Sequence, residues 1–136
     1  MMKETIKTIE TENGTCVEFY NEENGKLVKK VYSNGLVKFY NKNGNIIKLV
    51  NSNGDAEFYD DDGKTIKKVF SNGAVELYDE NGEHIKTVSP DGEVWSYGEN
   101  GNFIKIVDAD GAVYFYDEND DLTKIISIDG TVKNIK

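Results

Sequence analysis

Short runs of β-branched and aromatic residues are cut at near-regular intervals by polar turn residues. Val37-Lys38-Phe39-Tyr40 and Ile46-Ile47-Lys48-Leu49-Val50 are of strand length, and Asn41-Lys42-Asn43-Gly44 and Asn51-Ser52-Asn53-Gly54 close them off. Gly35, Gly54, Gly73, Gly92, Gly111 and Gly130 stand 19 residues apart. Gly25, Gly44, Gly63, Gly82 and Gly101 fall between them, with Asp120 in the next slot, so each unit splits as 9 plus 10. Gly14 to Gly35 is 21 residues and marks an irregular first unit. A fixed period of this length signals a repeat architecture. No segment holds a 3.6-residue period, so no helix is expected.

Turn lengths can be tested against the pattern, because residues facing each other across an antiparallel pair share a face. A three-residue loop at Lys42–Gly44 puts Tyr40 opposite Ile46, Phe39 opposite Ile47 and Lys38 opposite Lys48. A four-residue loop at Asn51–Gly54 then puts Leu49 opposite Ala56, Lys48 opposite Glu57 and Ile47 opposite Phe58. This register predicts an apolar, buried face along Phe39, Ile47, Phe58, Ile66, Leu77, Ile85, Ser96, Ile104 and Phe115. It predicts an ion-pair ladder Glu57–Lys67–Glu76–Lys86 on the other face, continued by Trp95–Lys105–Tyr114. Beside that ladder Tyr20, Tyr40, Tyr59, Tyr78, Tyr97 and Tyr116 alternate with Leu27, Ile46, Thr65, His84, Phe103 and Leu122. The expected fold is all-β: an antiparallel meander of about fourteen short strands, some 60 Å wide at roughly 4.8 Å per strand. An open sheet of that width tends to curl, so a rolled or spiral sheet is expected, or a flat layer burying its apolar face against a second copy. One domain spans residues 1–136, with regular repeats over 35–130 and the irregular unit over 1–34.

The net charge of −9 on 136 residues argues against nucleic acid and anionic membrane surfaces as partners, and suits a basic protein. Cys16 is the single cysteine, so no internal disulfide forms. The first residues, MMKETIKTIETENG, show no apolar signal segment, and no run approaches the length of a membrane helix. The default location is cytoplasmic, without membrane insertion.

Candidate chemistry is sparse. His84, the only histidine, has no serine or cysteine nucleophile beside it in this register, and Cys16 has no basic cluster to activate it. Asp60-Asp61-Asp62-Gly63, Asp108-Ala109-Asp110-Gly111 and Asp117-Glu118-Asn119-Asp120-Asp121 lack calcium-loop spacing and read as turn caps. No catalytic residue, metal site or cofactor is expected. The candidate binding residues are Trp95, Tyr97, Phe103, Tyr114, Tyr116, Tyr78, Tyr59 and Tyr40, densest toward the C-terminus, where aromatics suit protein, peptide or glycan binding.

YDENGEHIKTVSPDGEVWSYGENG, residues 78–101, resembles the Tyr-Asp (YD) repeats of Rhs and related toxin-shell proteins. The matching residues are Tyr78, Asp79 and Gly82, Asp91 and Gly92, Asp110 and Gly111, and Tyr116 with Asp117. The unit here is shorter by about two residues. At the level of Tyr-x-x-Asn-Gly the chain is also similar to bacterial MORN-type repeats, some of them in antitoxin or immunity proteins. It is similar there to choline-binding and clostridial toxin repeats as well. All three resemblances imply binding or structural modules. The expected function is a non-enzymatic repeat sheet acting as a structural or protein-interaction module, with self-association through sheet edges. The alternatives are a glycan-binding module using the Tyr/Trp face and an acidic inhibitor of a basic toxin.

Overall fold

The computed structural model describes residues 4–12 and 14–135. Fourteen strands follow one another in chain order as one open meander sheet. They are β1 (Glu4–Thr11), β2 (Gly14–Asn21), β3 (Leu27–Tyr32), β4 (Val37–Tyr40), β5 (Ile46–Val50), β6 (Ala56–Tyr59) and β7 (Thr65–Val69), then β8 (Val75–Tyr78), β9 (His84–Val88), β10 (Val94–Tyr97), β11 (Phe103–Val107), β12 (Val113–Tyr116), β13 (Leu122–Ile126) and β14 (Val132–Asn134). The all-β meander read from the period is therefore the observed fold. Among the described residues no helix is long and apolar enough to cross a membrane. The chain divides into two compact units, Met1–Ser71 and Asn72–Lys136.

From Tyr32 onward the turns share one backbone design, whereas the turn between β2 and β3 is a residue longer, closing from Asn21 N–H to the Lys26 carbonyl at 2.8 Å. Asn41 N–H donates to the Asn45 carbonyl at 2.9 Å and Gly44 N–H donates back to the Asn41 carbonyl at 3.0 Å. Asn51 and Asp55 repeat this at 2.8 Å, with Gly54 N–H to the Asn51 carbonyl at 3.0 Å. Each is a three-residue loop whose last residue needs a positive φ, which glycine supplies without strain (φ 86° at Gly44). Asp120 takes that slot at φ 64°, the one non-glycine with positive φ among the described residues. In the turns that begin at Asn41, Asp60, Asp79, Asp108 and Asp117 the first residue is the cap: Asp60 Oδ1 accepts from the Asp62 and Lys64 N–H groups, both at 2.9 Å. Asp108 does the same for Asp110 and Ala112, and Asp117 for Asn119 and Asp121. In the turn at Asn51 the cap is Asn53, whose Oδ1 accepts from the Asp55 N–H at 3.1 Å. The aspartate runs are turn caps, as their local chemistry indicates.

The register departs from the expected one by a single residue per repeat. Tyr40 faces Ile46, but Phe39 faces Lys48, Lys38 faces Leu49 and Val37 faces Val50. Ile47 is the extra residue of a β-bulge. On the next side Lys48 faces Phe58, Leu49 faces Glu57 and Val50 faces Ala56. The nine-against-ten asymmetry is thus absorbed in the strand, not in a four-residue loop. The same shift recurs where β6 meets β7, β8 meets β9, β10 meets β11 and β12 meets β13.

This overturns the expected face assignment. Ile47, Ile66, Ile85 and Ile104 are not part of an apolar interior but are exposed, at 37%, 40%, 40% and 47%. The ladder Glu57–Lys67–Glu76–Lys86 does not form: Glu57 faces Lys68, Phe58 faces Lys67, and Glu76 faces Thr87. Trp95 faces Ile106, and Ile106 faces Tyr114, so Lys105 is not between the two aromatics. A buried face is absent too. Among the described residues only Cys16 and Glu18, at 4% and 7% exposed, are buried, both on the long strand β2 of the irregular first unit. A single layer has no interior, so its side chains are stabilised by cross-strand neighbours rather than by a second layer.

Each unit therefore carries two half-buried faces. In the first, one face runs Phe19, Lys29, Phe39, Lys48, Phe58, Lys67 across successive strands. The other carries Glu18, Lys30, Lys38, Leu49, Glu57 and Lys68, with Tyr20, Tyr40 and Tyr59 beside them. In the second unit the corresponding rows are Leu77, Lys86, Ser96, Lys105, Phe115, Lys124 and Glu76, Thr87, Trp95, Ile106, Tyr114, Ile125.

Candidate functional site: an aromatic strip on the second unit

Near each turn the pairing is unaffected by the bulge, so the row beside the turns is as expected. Tyr78 faces His84, Tyr97 faces Phe103 and Tyr116 faces Leu122. Bulky planar residues at neighbouring positions on one pleated face must meet, and they do. The Tyr78 and His84 ring centroids are 5.2 Å apart, and those of His84 and Tyr97 are 4.6 Å apart. Phe103 sits edge-on between Trp95, at 5.6 Å and 79°, and Tyr116, at 4.9 Å and 89°. Tilted and edge-to-face contacts of this kind are the favoured aromatic geometries. Five of the expected residues, Tyr78, Trp95, Tyr97, Phe103 and Tyr116, thus lie in a strip over β8–β12 made of two ring trios, Tyr78–His84–Tyr97 and Trp95–Phe103–Tyr116, adjoining at the Tyr97–Phe103 cross-strand pair, with every member half-buried.

The strip is tethered by polar bonds at its margins. Tyr78 Oη donates to Glu76 Oε1 at 3.1 Å, and Tyr97 Oη reaches Thr87 Oγ1 at 3.3 Å. Tyr114 stands apart from the ring contacts; its hydroxyl reaches Asp108 Oδ2 at 3.4 Å, and the Asp108 charge raises its pKa above the ordinary tyrosine value. Tyr40 and Tyr59 belong to the first unit and join no strip. Tyr59 Oη donates to Glu57 Oε2 at 2.7 Å, and burial followed by this bond pushes its pKa well up. Tyr59 lines a groove of about 480 Å³ with Ile46, Leu49, Asp61 and Asp62. Tyr40 lines a smaller one, of about 220 Å³, with Leu27 and Lys42.

His84 is the member missing from the candidate binding residues read from the sequence. Its place opposite Tyr78 was the available signal, since a planar ring there completes the stack. Its Nε2 lies 2.8 Å from Thr87 Oγ1, 3.1 Å from the Lys86 carbonyl and 3.7 Å from Glu76 Oε2. All three partners gather at one ring nitrogen, whereas a proton relay from a hydroxyl to a carboxylate uses both. Cys16 is buried in the first unit. Among the described residues, no group of three or more His, Cys, Asp or Glu side chains could hold a metal ion.

Residues 33–53 match the family model of the MORN repeat variant. That stretch contains β4, its turn and β5, one hairpin of the array. No curated protein matches the chain. Among solved structures the chain is similar to the G-box domain of the microcephaly protein CPAP, for which a role in centriole elongation is suggested. The identity is 18%, over 97% of this chain and 99% of that one, with a TM-score of 0.49. It is also similar to part of TarM, at 13% identity over 95% of this chain and 21% of that one, with a TM-score of 0.28.

Proposed function

We propose that this repeat β-sheet protein is a non-enzymatic protein-interaction module whose partner docks on the aromatic strip of the second unit. The carrying observation is the strip itself: Tyr78, His84 and Tyr97, and beside them Trp95, Phe103 and Tyr116, are packed ring against ring on one face of the sheet and are only half-buried. Rigid aromatics lose little side-chain freedom on binding and dominate interface energetics. Glu76 and Asp108 flank the strip, and with the net charge of −9 they favour a partner with basic residues at the rim of its docking patch. The hairpin match to the MORN repeat variant and the Tyr-Asp resemblance both agree with a scaffold or binding role.

The test is site-specific photocrosslinking. A benzophenone amino acid at Phe103 should capture one protein reproducibly, and Trp95→Ala should abolish the product. The same probe at Phe115, on the opposite face, should not capture it. Equal capture from both faces contradicts the proposal. Binding on a glycan array that depends on Trp95, without protein capture, would replace it with a carbohydrate-reading role.

A further inference from the structure

A second surface lies on the first unit, on the face away from its tyrosines. Lys29, Lys48 and Lys67 stand in one row there, each separated from the next by a phenylalanine, Phe39 and then Phe58. Lys48 Nζ lies 5.3 Å from the Phe39 ring centroid and 5.1 Å from that of Phe58. Lys67 is 5.1 Å from Phe58, and Lys29 is 4.5 Å from Phe19. None of the three makes an ion pair among the described residues, although the chain is strongly acidic. The unit's ion pairs, Lys30–Glu18 and Lys68–Glu57, are on the other face. A cation over a ring is held in place, but its charge is not neutralised.

We infer that this lysine–phenylalanine row is a docking track for an extended acidic peptide in the polyproline II conformation, with a carboxylate at every third residue. Successive lysines sit two strands apart, about 9.6 Å at the usual strand separation. A polyproline II helix has three residues per turn and rises about 9.3 Å over them, so every third side chain projects to one side in step with the lysines. Its intervening prolines would rest on the edges of the phenylalanine rings, between the lysines that cover the ring faces. A second copy of the chain is a poor occupant of this track, because stacking it on the same face sets lysine row against lysine row. A nucleic acid duplex is disfavoured by the Glu22-Glu23 and Asp60-Asp61-Asp62 turns along one rim of the track, which a thin single peptide avoids.

Fluorescence anisotropy tests this, with a labelled peptide of repeated Glu-Pro-Pro triplets and one of the same composition with its glutamates paired. The triplet peptide should bind about fivefold or more tightly over the paired one, since each matched ion pair contributes a few-fold. Lys48→Gln should weaken it about threefold to fivefold and Lys48→Arg should retain it, while Lys38→Gln, on the opposite face, should leave it unchanged. Circular dichroism confirms that each variant is folded. Equal affinity for the two peptides, no effect of Lys48→Gln in folded protein, or preferential binding of a single-stranded oligonucleotide or phosphatidylserine vesicles would overturn the inference.

Discussion

The two units share a backbone frame and exchange what their faces carry. In the first, phenylalanines alternate with lysines on one face, while tyrosines and carboxylates hold the other: Tyr20 Oη donates to Glu18 Oε1 at 2.7 Å, Lys30 Nζ lies 3.5 Å from Glu18 Oε2, and Lys68 Nζ lies 3.7 Å from Glu57 Oε1. In the second, the lysine row has Leu77 and Ser96 in the phenylalanine positions and keeps only Phe115, which Lys124 covers at 4.6 Å. Its aromatics sit on the tyrosine face instead, where Trp95 and Tyr114 occupy the positions that Glu57 and Glu76 hold elsewhere. Turns and bulges set the frame in both. The side chains need only pair well with a neighbour on the same face, so one scaffold tolerates a charged face and an aromatic one.

Substitutions at matched positions separate the two units. The largest effect is expected at the turns. Gly35 and Gly92 share a positive φ, 96° and 98°, but a Cβ on Gly35 would lie 2.8 Å from Ser52 Cβ, whereas on Gly92 it would lie 3.9 Å from Ala109 Cβ. Gly35→Ala should cost about 3 kcal/mol in denaturant unfolding and Gly92→Ala about 1–2 kcal/mol, since the second pays only the backbone strain. Next comes Phe58→Ser, which gives the first unit the row of the second; it should cost about 2 kcal/mol, the loss of a half-buried ring shared by two lysines. The reverse change, Ser96→Phe between Lys86 and Lys105, should stabilise by about 0.5–1 kcal/mol. A loss in stability there would mean that the second unit's lysine face is not equivalent to the first's.

The smallest effect is on pH dependence. Tyr20, hydrogen-bonded to Glu18, and Tyr40 and Tyr59, both half-buried, have pKa values raised above the ordinary value of 10.0. The unfolded chain releases these protons near pH 10 while the folded chain retains them. Their contribution is therefore complete below pH 10 and is lost as the pH climbs through the raised values. Tyrosinate absorbance should show a late-titrating fraction, and Glu57→Gln should move Tyr59 back toward the ordinary range. A single titration step at the ordinary value would remove the tyrosine–carboxylate account of the first unit.

Strand count, strand order and the row beside the turns were legible in the sequence. Glycine spacing, with Asp120 standing in once, marks the reversals from Gly35 on, and Tyr40–Ile46 to Tyr116–Leu122 lie between a turn and the bulge, where pairing is fixed by the turn alone. The faces were not legible, because a ten-residue half-unit can hide its extra residue in a loop or in a strand. Asn41-Lys-Asn-Gly and Asn51-Ser-Asn-Gly carry the same turn chemistry, and that identity was the signal for equal loops and hence a bulge. Strict alternation then misplaces Lys48 and its equivalents, and with them the phenylalanine–lysine row. The aromatic strip survived the error because its members all sit on the turn side of the bulge or on the four-residue strands.

The bulge is the claim on which the face assignment depends, and side-chain nuclear Overhauser contacts of Lys48 test it most directly. The account predicts contacts from the Lys48 methylenes to the rings of Phe39 and Phe58, with upfield ring-current shifts. Contacts from Lys48 to Lys38 and Glu57 instead, with none to either ring, would contradict it.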